Sequence, residues 1–314
     1  MWLNWSQDGL GIMKYRYALG KRKYETNATI TALVLLLPTF IALVILFIYP
    51  VIRIFILSFT NTNTITNISE FTGLANYKFI FENEIFQKAF INTCVFTIVK
   101  MLLEVTISLL LAVMLDEHIP FRKYLRICYF APVIVPVAAS SIIFMWLYDP
   151  QLGPINQMLR FLHLPTSNFI YSKDSALMSI IIFAVWRGIG YDIIIFISGL
   201  QGISESYEEA AKVDGAGKAQ IFFRIKLPLM RPIISFVIMM GLIGCFQAFT
   251  EVDIMTGGGP ENSTILMVNY IYGQAFGNAK LGRGSAASVI LFLVIFALTL
   301  IQKIRNDRKE SYYD

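Results

Sequence analysis

An all-α polytopic membrane protein with six transmembrane helices is the fold this sequence predicts, on three observations. The chain has 314 residues, of which 56% are hydrophobic, too apolar for a water-soluble domain. The apolar residues gather into runs of about 20, the number a helix needs to cross roughly 30 Å of hydrocarbon at ~1.5 Å per residue. The runs also lack the apolar–polar alternation of a membrane barrel, whereas a helix satisfies its own backbone in lipid.

The first run, residues 30–49, carries Pro38 and closes near Pro50, with Arg53 placed to snorkel at the outer interface. It is too long and too far into the chain for a cleaved signal peptide. Residues 1–28 read as a basic cytoplasmic lead, in which Met13 is an alternative start. The loop that follows begins Asn/Thr-rich and turns amphipathic through Tyr77, Phe79, Ile80, Phe81, Ile85 and Phe86. That pattern predicts a short helix lying on the outer membrane surface.

The second run, 90–115, leads into a tight basic turn and then the third, 127–147, whose Pro132 and Pro136 predict a kink. Carbonyls freed there must be satisfied by neighbouring helices. A loop with turn residues Pro150, Gly153, Pro154 and Pro165 precedes the fourth run, 176–200. The fifth, 232–249, is followed by Gly257–Pro260, which cannot be regular helix. The sixth, 285–301, is shorter and almost free of charge. The membrane domain therefore covers residues 29–304, encloses a polar loop at 201–231, and ends in a tail, 305–314.

The net charge of +5 does not point to nucleic acid once its distribution is examined. With six spans, Lys14, Arg16, Lys21, Arg22 and Lys23 share one side with Arg122, Lys123, Arg126, Lys212, Lys218, Arg224, Lys226, Arg231, Lys303, Arg305, Arg308 and Lys309. The other side holds only Lys78, Lys88, Arg160, Lys173, Lys280 and Arg283. That asymmetry places both termini in the cytoplasm.

Cys94, Cys128 and Cys245 fall inside spans without ligand spacing and read as small packing residues. His118 and His163 lie in loops on opposite sides, so no metal site or catalytic dyad is predicted. Gly215-Ala216-Gly217-Lys218 is not a phosphate-binding loop, because Lys212 stands where the first glycine belongs and Ala219 where Ser or Thr must follow. No catalytic residue is assigned.

Charged residues inside spans are expensive and face a partner or a cavity. Lys100 and Glu104, one turn apart on the second run, are placed to neutralise each other. Arg187 and Asp192 sit about 140° apart on a helix and are poorly placed to pair. Gly188 and Tyr191 can line a cavity beside Arg187. The small residues Gly241, Gly244, Cys245 and Ala248 read equally as a packing stripe and as a lining. Gln247, Glu251 and Asp253 lie near the outer end of the fifth run.

The polar loop is the most informative segment. It contains Glu209-Ala210-Ala211-Lys212-Val213-Asp214-Gly215 and, ten residues on, Ile225-Lys226-Leu227-Pro228. Ser206 and Glu209 have capping-box spacing, which predicts a helix starting there. Glu-Ala-Ala, three residues, Gly, nine residues, Ile-x-Leu-Pro resembles the signature of inner-membrane permeases of binding-protein-dependent ABC importers. Within these it is similar to the maltose-type first permease of the sugar branch. Gly73–Tyr77, Ala131–Trp146, Gly153 with Asn156, Thr256–Thr264 and Gly284–Ala287 carry the likeness over roughly residues 28–305. Ser204 departs from it, standing where the family usually has Pro.

The resemblance implies a type I ABC importer permease in a bacterial cytoplasmic membrane. Ser204–Gly217 would be the coupling helix, with Ser206, Glu209, Ala210, Ala211, Asp214 and Gly215 facing a cytoplasmic ATPase and Glu209 anchoring the loop. Partners would be a second permease, two ATP-binding subunits that hold ATP and Mg, an extracytoplasmic solute-binding protein, a carbohydrate cargo and membrane lipid. By the same likeness Arg187, Gly188, Tyr191, Asp192, Gly244, Cys245, Gln247 and Ala248 lie along the substrate pathway. Arg187 raises an acidic cargo as a hypothesis. The competing reading is a secondary active sugar transporter, whose relay would have to use Glu104, Arg187 and Asp192.

Overall fold

A computed structural model describes residues 31–66, 69–116 and 122–310. The basic lead, His118 and residues 311–314 lie outside the described residues. Among those described the chain is helical, and the only extended pairing is two isolated bridges, Thr60 with Phe71 and Asn63 with Lys280. Four helices are long and apolar enough to cross a membrane, or up to six if each of two bent pairs is one span.

The chain divides into two units, residues 1–56 and 57–314. In the first, α1 (Thr31–Leu57) runs past Pro50 rather than ending there. A π turn at Val44–Ile48, closed by the Tyr49 N–H on the Val44 carbonyl, widens the helix just before the proline. Proline has no N–H and its ring crowds the carbonyl four residues back, so a wider turn lets the helix continue.

In the second unit, α2 (Ala75–Glu82) and α3 (Glu84–Asp116) meet at Asn83, whose Oδ1 accepts from the Phe86 N–H at 3.0 Å. The amphipathic segment forms a short helix as expected, with Phe81 exposed and the other face packed on protein. Ile80 and Phe86 are buried against Met267, Tyr270, Ala286 and Ala287, and Tyr77 and Asn76 bond to Ser58. The segment is half apolar because it has a protein core to fill.

The third run is not one kinked helix. It is α4 (Arg122–Ile134) and α5 (Val137–Leu147), bent by 100°. Pro132 removes one ladder bond, and Pro136, with φ −54° and ψ 136°, starts the new helix. A short α6 (Pro154–Phe161) follows in the outer loop, then α7 (Ala176–Gln201).

Within the polar loop, α8 (Glu205–Val213) leads to α9 (Lys218–Leu229), which bends by 64° into α10 (Arg231–Phe246). A second π turn, Phe222–Lys226, precedes Pro228 as the first precedes Pro50. The fifth run therefore stops at Phe246, and α11 (Thr250–Met255) leads to the glycine-rich turn. That turn is tied down: Lys88 Nζ donates to the Glu261 carbonyl at 3.0 Å and Asn92 Nδ2 to those of Asn262 and Ile265. The chain closes through α12 (Met267–Tyr272) and α13 (Leu281–Glu310).

Two further core clusters hold this frame. Phe96, Ile180, Ile181, Phe183 and Val252 form one, around α7 and α11. Ala112, Leu115, Ile193, Phe196, Leu200 and Met230 join α3 and α7 to the α9–α10 bend.

Candidate functional site

Two polar regions stand out, one in the loop between α7 and α10 and one inside the membrane-spanning core. The loop helix α8 is stopped at both ends by its own sequence. Ser204 is extended (φ −62°, ψ 132°) and its Oγ accepts from the Ser206 N–H at 3.4 Å. The cap is therefore Ser204, two residues before the expected Ser206. Tyr207 occupies the position where a capping-box Glu would sit. The departure from Pro at 204 supplies the capping oxygen.

At the far end the Gly215 N–H bonds the Lys212 carbonyl at 3.1 Å and the Ala216 N–H the Ala211 carbonyl at 2.9 Å. These two crossed bonds form a Schellman stop, with Asp214 as C-cap. Gly215 has φ +81°, a region that glycine enters without steric cost. Beyond its chain neighbours, no atom of the described residues lies within 4 Å of where a Cβ would stand, so its outer side is open among them.

Glu209, the expected anchor, is exposed and makes no ion pair among the described residues. Its neighbour Glu208 accepts a hydrogen bond from Lys226 Nζ on the π turn of α9, and lies 3.7 Å from Lys212 Nζ. The Lys226 bond holds the Glu208 carboxyl below the usual carboxylate range. Helix geometry decides between the two acids. Glu208 shares an inward face with buried Ala211, whereas Glu209 lies about 100° further round.

The outward face carries Tyr207, Ala210 and Val213, three residues apart, with Val213 87% exposed. Sequence reasoning missed the capping role of Ser204, the Glu208–Lys226 clamp and the exposed Tyr207. A helical projection started at Ser204 would have separated the two faces.

The second region is a seam between α3, α7 and α10. Lys100 and Glu104 form the expected ion pair, both largely buried. The Glu104 carboxylate rests on Gly188, where a Cβ would overlap it. Gly188 therefore receives Glu104. Asp192, one turn further along α7, is buried and within electrostatic reach of Glu104 and Lys100.

Arg187 leaves on a different side and donates from Nη2 to the Val135 carbonyl at 3.3 Å, at the α4–α5 break. The Val135 carbonyl is left outside the helical ladder where the chain turns extended at Pro136, and a side chain from a neighbouring helix satisfies it. Tyr191 is half-exposed, four residues along the same face.

On α10 the small-residue stripe splits. Cys245 and Ala248 are buried in the outer core cluster beside Phe96 and Val252, which is packing. Gly244 and Gln247 are exposed, and Phe236 and Met240 continue that open face at spacings of one helical turn. The last two were missed because apolar residues in a span carry no signal by themselves. The three cysteines are free, and no cluster of metal-ligating residues exists among the described residues.

Residues 104–311 match the family model described as binding-protein-dependent transport system inner membrane component. An sn-glycerol-3-phosphate transport system permease protein of Pectobacterium atrosepticum is 32% identical over 280 residues, covering 89% of this chain and 95% of that protein. A multiple sugar-binding transport system permease protein of Streptococcus mutans is 32% identical over 82% of this chain and 89% of its own. Among solved structures, a bacterial alginate ABC transporter in complex with an alginate pentasaccharide-bound periplasmic protein has a chain that superposes with TM-score 0.80. That chain is 22% identical, and the match covers 91% of this chain and 96% of that one, a likeness of fold.

Proposed function

The chain belongs to the family of binding-protein-dependent transport system inner membrane components, and on that premise we propose that it is the permease subunit of an ATP-driven importer for a carbohydrate or a related polyol compound. One observation carries the reading: a short helix in a polar loop, stopped at both ends by its own residues and clamped through Glu208 to Lys226, presents an apolar stripe outward. A rigid helix with small and aromatic side chains facing out suits a groove in another protein, and a packed contact moves as a body. The partner is a cytoplasmic ATPase present in two copies, which supplies the ATP and Mg chemistry, and α8 transmits its closure.

In this reading six spans place both termini in the cytoplasm, with the bent pairs α4–α5 and α9–α10 each counting as one span. A second permease completes the pathway, and an extracytoplasmic solute-binding protein delivers the cargo. The open faces bearing Arg187 and Tyr191 on α7, and Phe236, Met240, Gly244 and Gln247 on α10, border that pathway. Relatives named for sn-glycerol 3-phosphate, sugars and alginate support a hydroxyl-rich cargo.

The test is to purify the tagged chain in mild detergent and identify what accompanies it. Recovery of a second six-span protein with a P-loop ATPase is the expected result. A lone protein that moves solute in ATP-free liposomes would overturn the proposal.

A further inference from the structure

The outer loop between α5 and α7 is built from the inside. Asn156 of α6 is fully buried, and its Nδ2 donates to the carbonyls of Pro150 and Ser167 at 3.2 and 2.8 Å. Its Oδ1 accepts from the Ser167 N–H at 3.1 Å. Gln157 Nε2 bonds the Leu152 carbonyl at 2.9 Å, and Arg160 Nη2 the Gln151 carbonyl at 2.8 Å.

This framework holds a set of apolar side chains away from the protein: Leu152, Met158, Phe161, Leu162 and Leu164 are each at least half-exposed, Phe161 to 82%. A loop this well bonded cannot turn those groups inward. Leaving them in water forfeits the favourable transfer of each large apolar side chain, so the face has an occupant.

The position of α6 identifies it. Gly153, the residue before the helix, packs so closely on the carbonyls of Leu147 and Asp149 that a Cβ there would overlap both. Close contact with the last turn of α5 fixes the start of α6 at the level where that span ends. Trp146, 59% exposed on that same turn, is a residue type that collects at the membrane–water boundary. The exposed apolar face of α6 thus begins next to the exposed end of a membrane span. Arg160 lies on α6 itself and His163 follows two residues after its end, basic residue types that suit an anionic headgroup.

We infer that α6 lies in the outer leaflet interface of the membrane, with Met158, Phe161 and Leu162 seated among lipid acyl chains. It anchors the loop between the third and fourth spans to the lipid surface rather than offering that face to an extracytoplasmic protein.

The test replaces Phe161, and in a second variant Met158, with a genetically encoded dansyl amino acid in the full chain. Each variant is reconstituted into phosphatidylcholine–phosphatidylglycerol vesicles with the outer face accessible. Both positions are exposed, so both variants are expected to fold, as checked by gel filtration. Blue-shifted emission that nitroxide lipids quench and aqueous iodide leaves unchanged is the expected result. Emission quenched by iodide and indifferent to nitroxide lipids overturns the inference, and leaves the face to a protein partner.

Discussion

Arg187 on α7 and Val135 at the α4–α5 break are joined by a hydrogen bond, Nη2 to the main-chain carbonyl at 3.3 Å. The charge that the sequence leaves without a partner is thus spent, at least in part, on a carbonyl that Pro136 cannot allow to be used within a helix. Arg187→Ala should therefore destabilise the fold by about 1 kcal/mol, the net worth of a hydrogen bond to a part-buried carbonyl. Arg187→Lys, which keeps one donor, should cost less. Thermal unfolding of the reconstituted protein measures both. Equal loss in the two variants would show that the bond carries no weight. An acidic cargo makes a separate demand on Arg187: Arg187→Gln should abolish transport of the anionic cargo, and intact transport would remove charge recognition from its role.

Gly188 and Glu104 make a prediction of the opposite kind. Because a Cβ at 188 overlaps the Glu104 carboxylate, Gly188→Ala should cost about 1–3 kcal/mol through forced displacement. In a background carrying Lys100→Met and Glu104→Ala, which removes the ion pair as a unit, the same substitution should be nearly neutral. A double-mutant cycle in unfolding free energy reads the coupling, and additivity would show that the contact is not the source of the strain.

How far the sequence could be read follows from what kind of information each feature needed. Spans were legible because about 20 apolar residues in a row have one common solution, and the Lys100–Glu104 pair because spacing of one turn is local. The break at Pro136 and the continuation past Pro50 were not separable from sequence. Both are prolines in apolar runs, and what differs is whether a π turn precedes them or a neighbour such as Arg187 accepts the bend. The site region failed in a different way. Ser206 and Glu209 fitted a capping pattern, but shifting the helix start by two residues moved the anchor to Glu208 and turned Glu209 outward. On α10, burial of Cys245 and exposure of Gly244 depend on which neighbours pack there, which no single-chain periodicity contains.

Glu208 has a lowered pKa because the Lys226 bond favours its charged form. A carboxylate depressed in the folded state adds stability above its unfolded pKa, and that contribution is lost as pH falls through the folded value. The difference in melting temperature between the parent and Glu208→Gln should thus be constant at neutral pH. It should shrink once pH drops below about 4, where the unfolded carboxyl takes up its proton. The charge exchange Glu208→Lys with Lys226→Glu should recover part of the loss. A difference independent of pH would mean that the pair contributes packing and not charge.

Gly215 separates folding from coupling. Its φ of +81° disfavours a Cβ-bearing residue, so Gly215→Ala should weaken the end of α8 by about 1–2 kcal/mol. Gly215→Asn should cost less, because asparagine tolerates the left-handed region. The surroundings do not oppose a side chain, since among the described residues nothing beyond the chain neighbours lies within 4 Å of the Cβ position. Amide hydrogen exchange across residues 205–216 should therefore be close to the parent in Gly215→Asn and faster in Gly215→Ala. Transport makes the second measurement. If an ATPase groove closes over that open side, Gly215→Asn should lose ATP-driven uptake while keeping the helix, because the new side chain occupies the partner's space. Uptake that follows only the stability order, with Asn close to the parent and Ala impaired, would instead place the partner's contact elsewhere on α8, on the Tyr207–Val213 stripe.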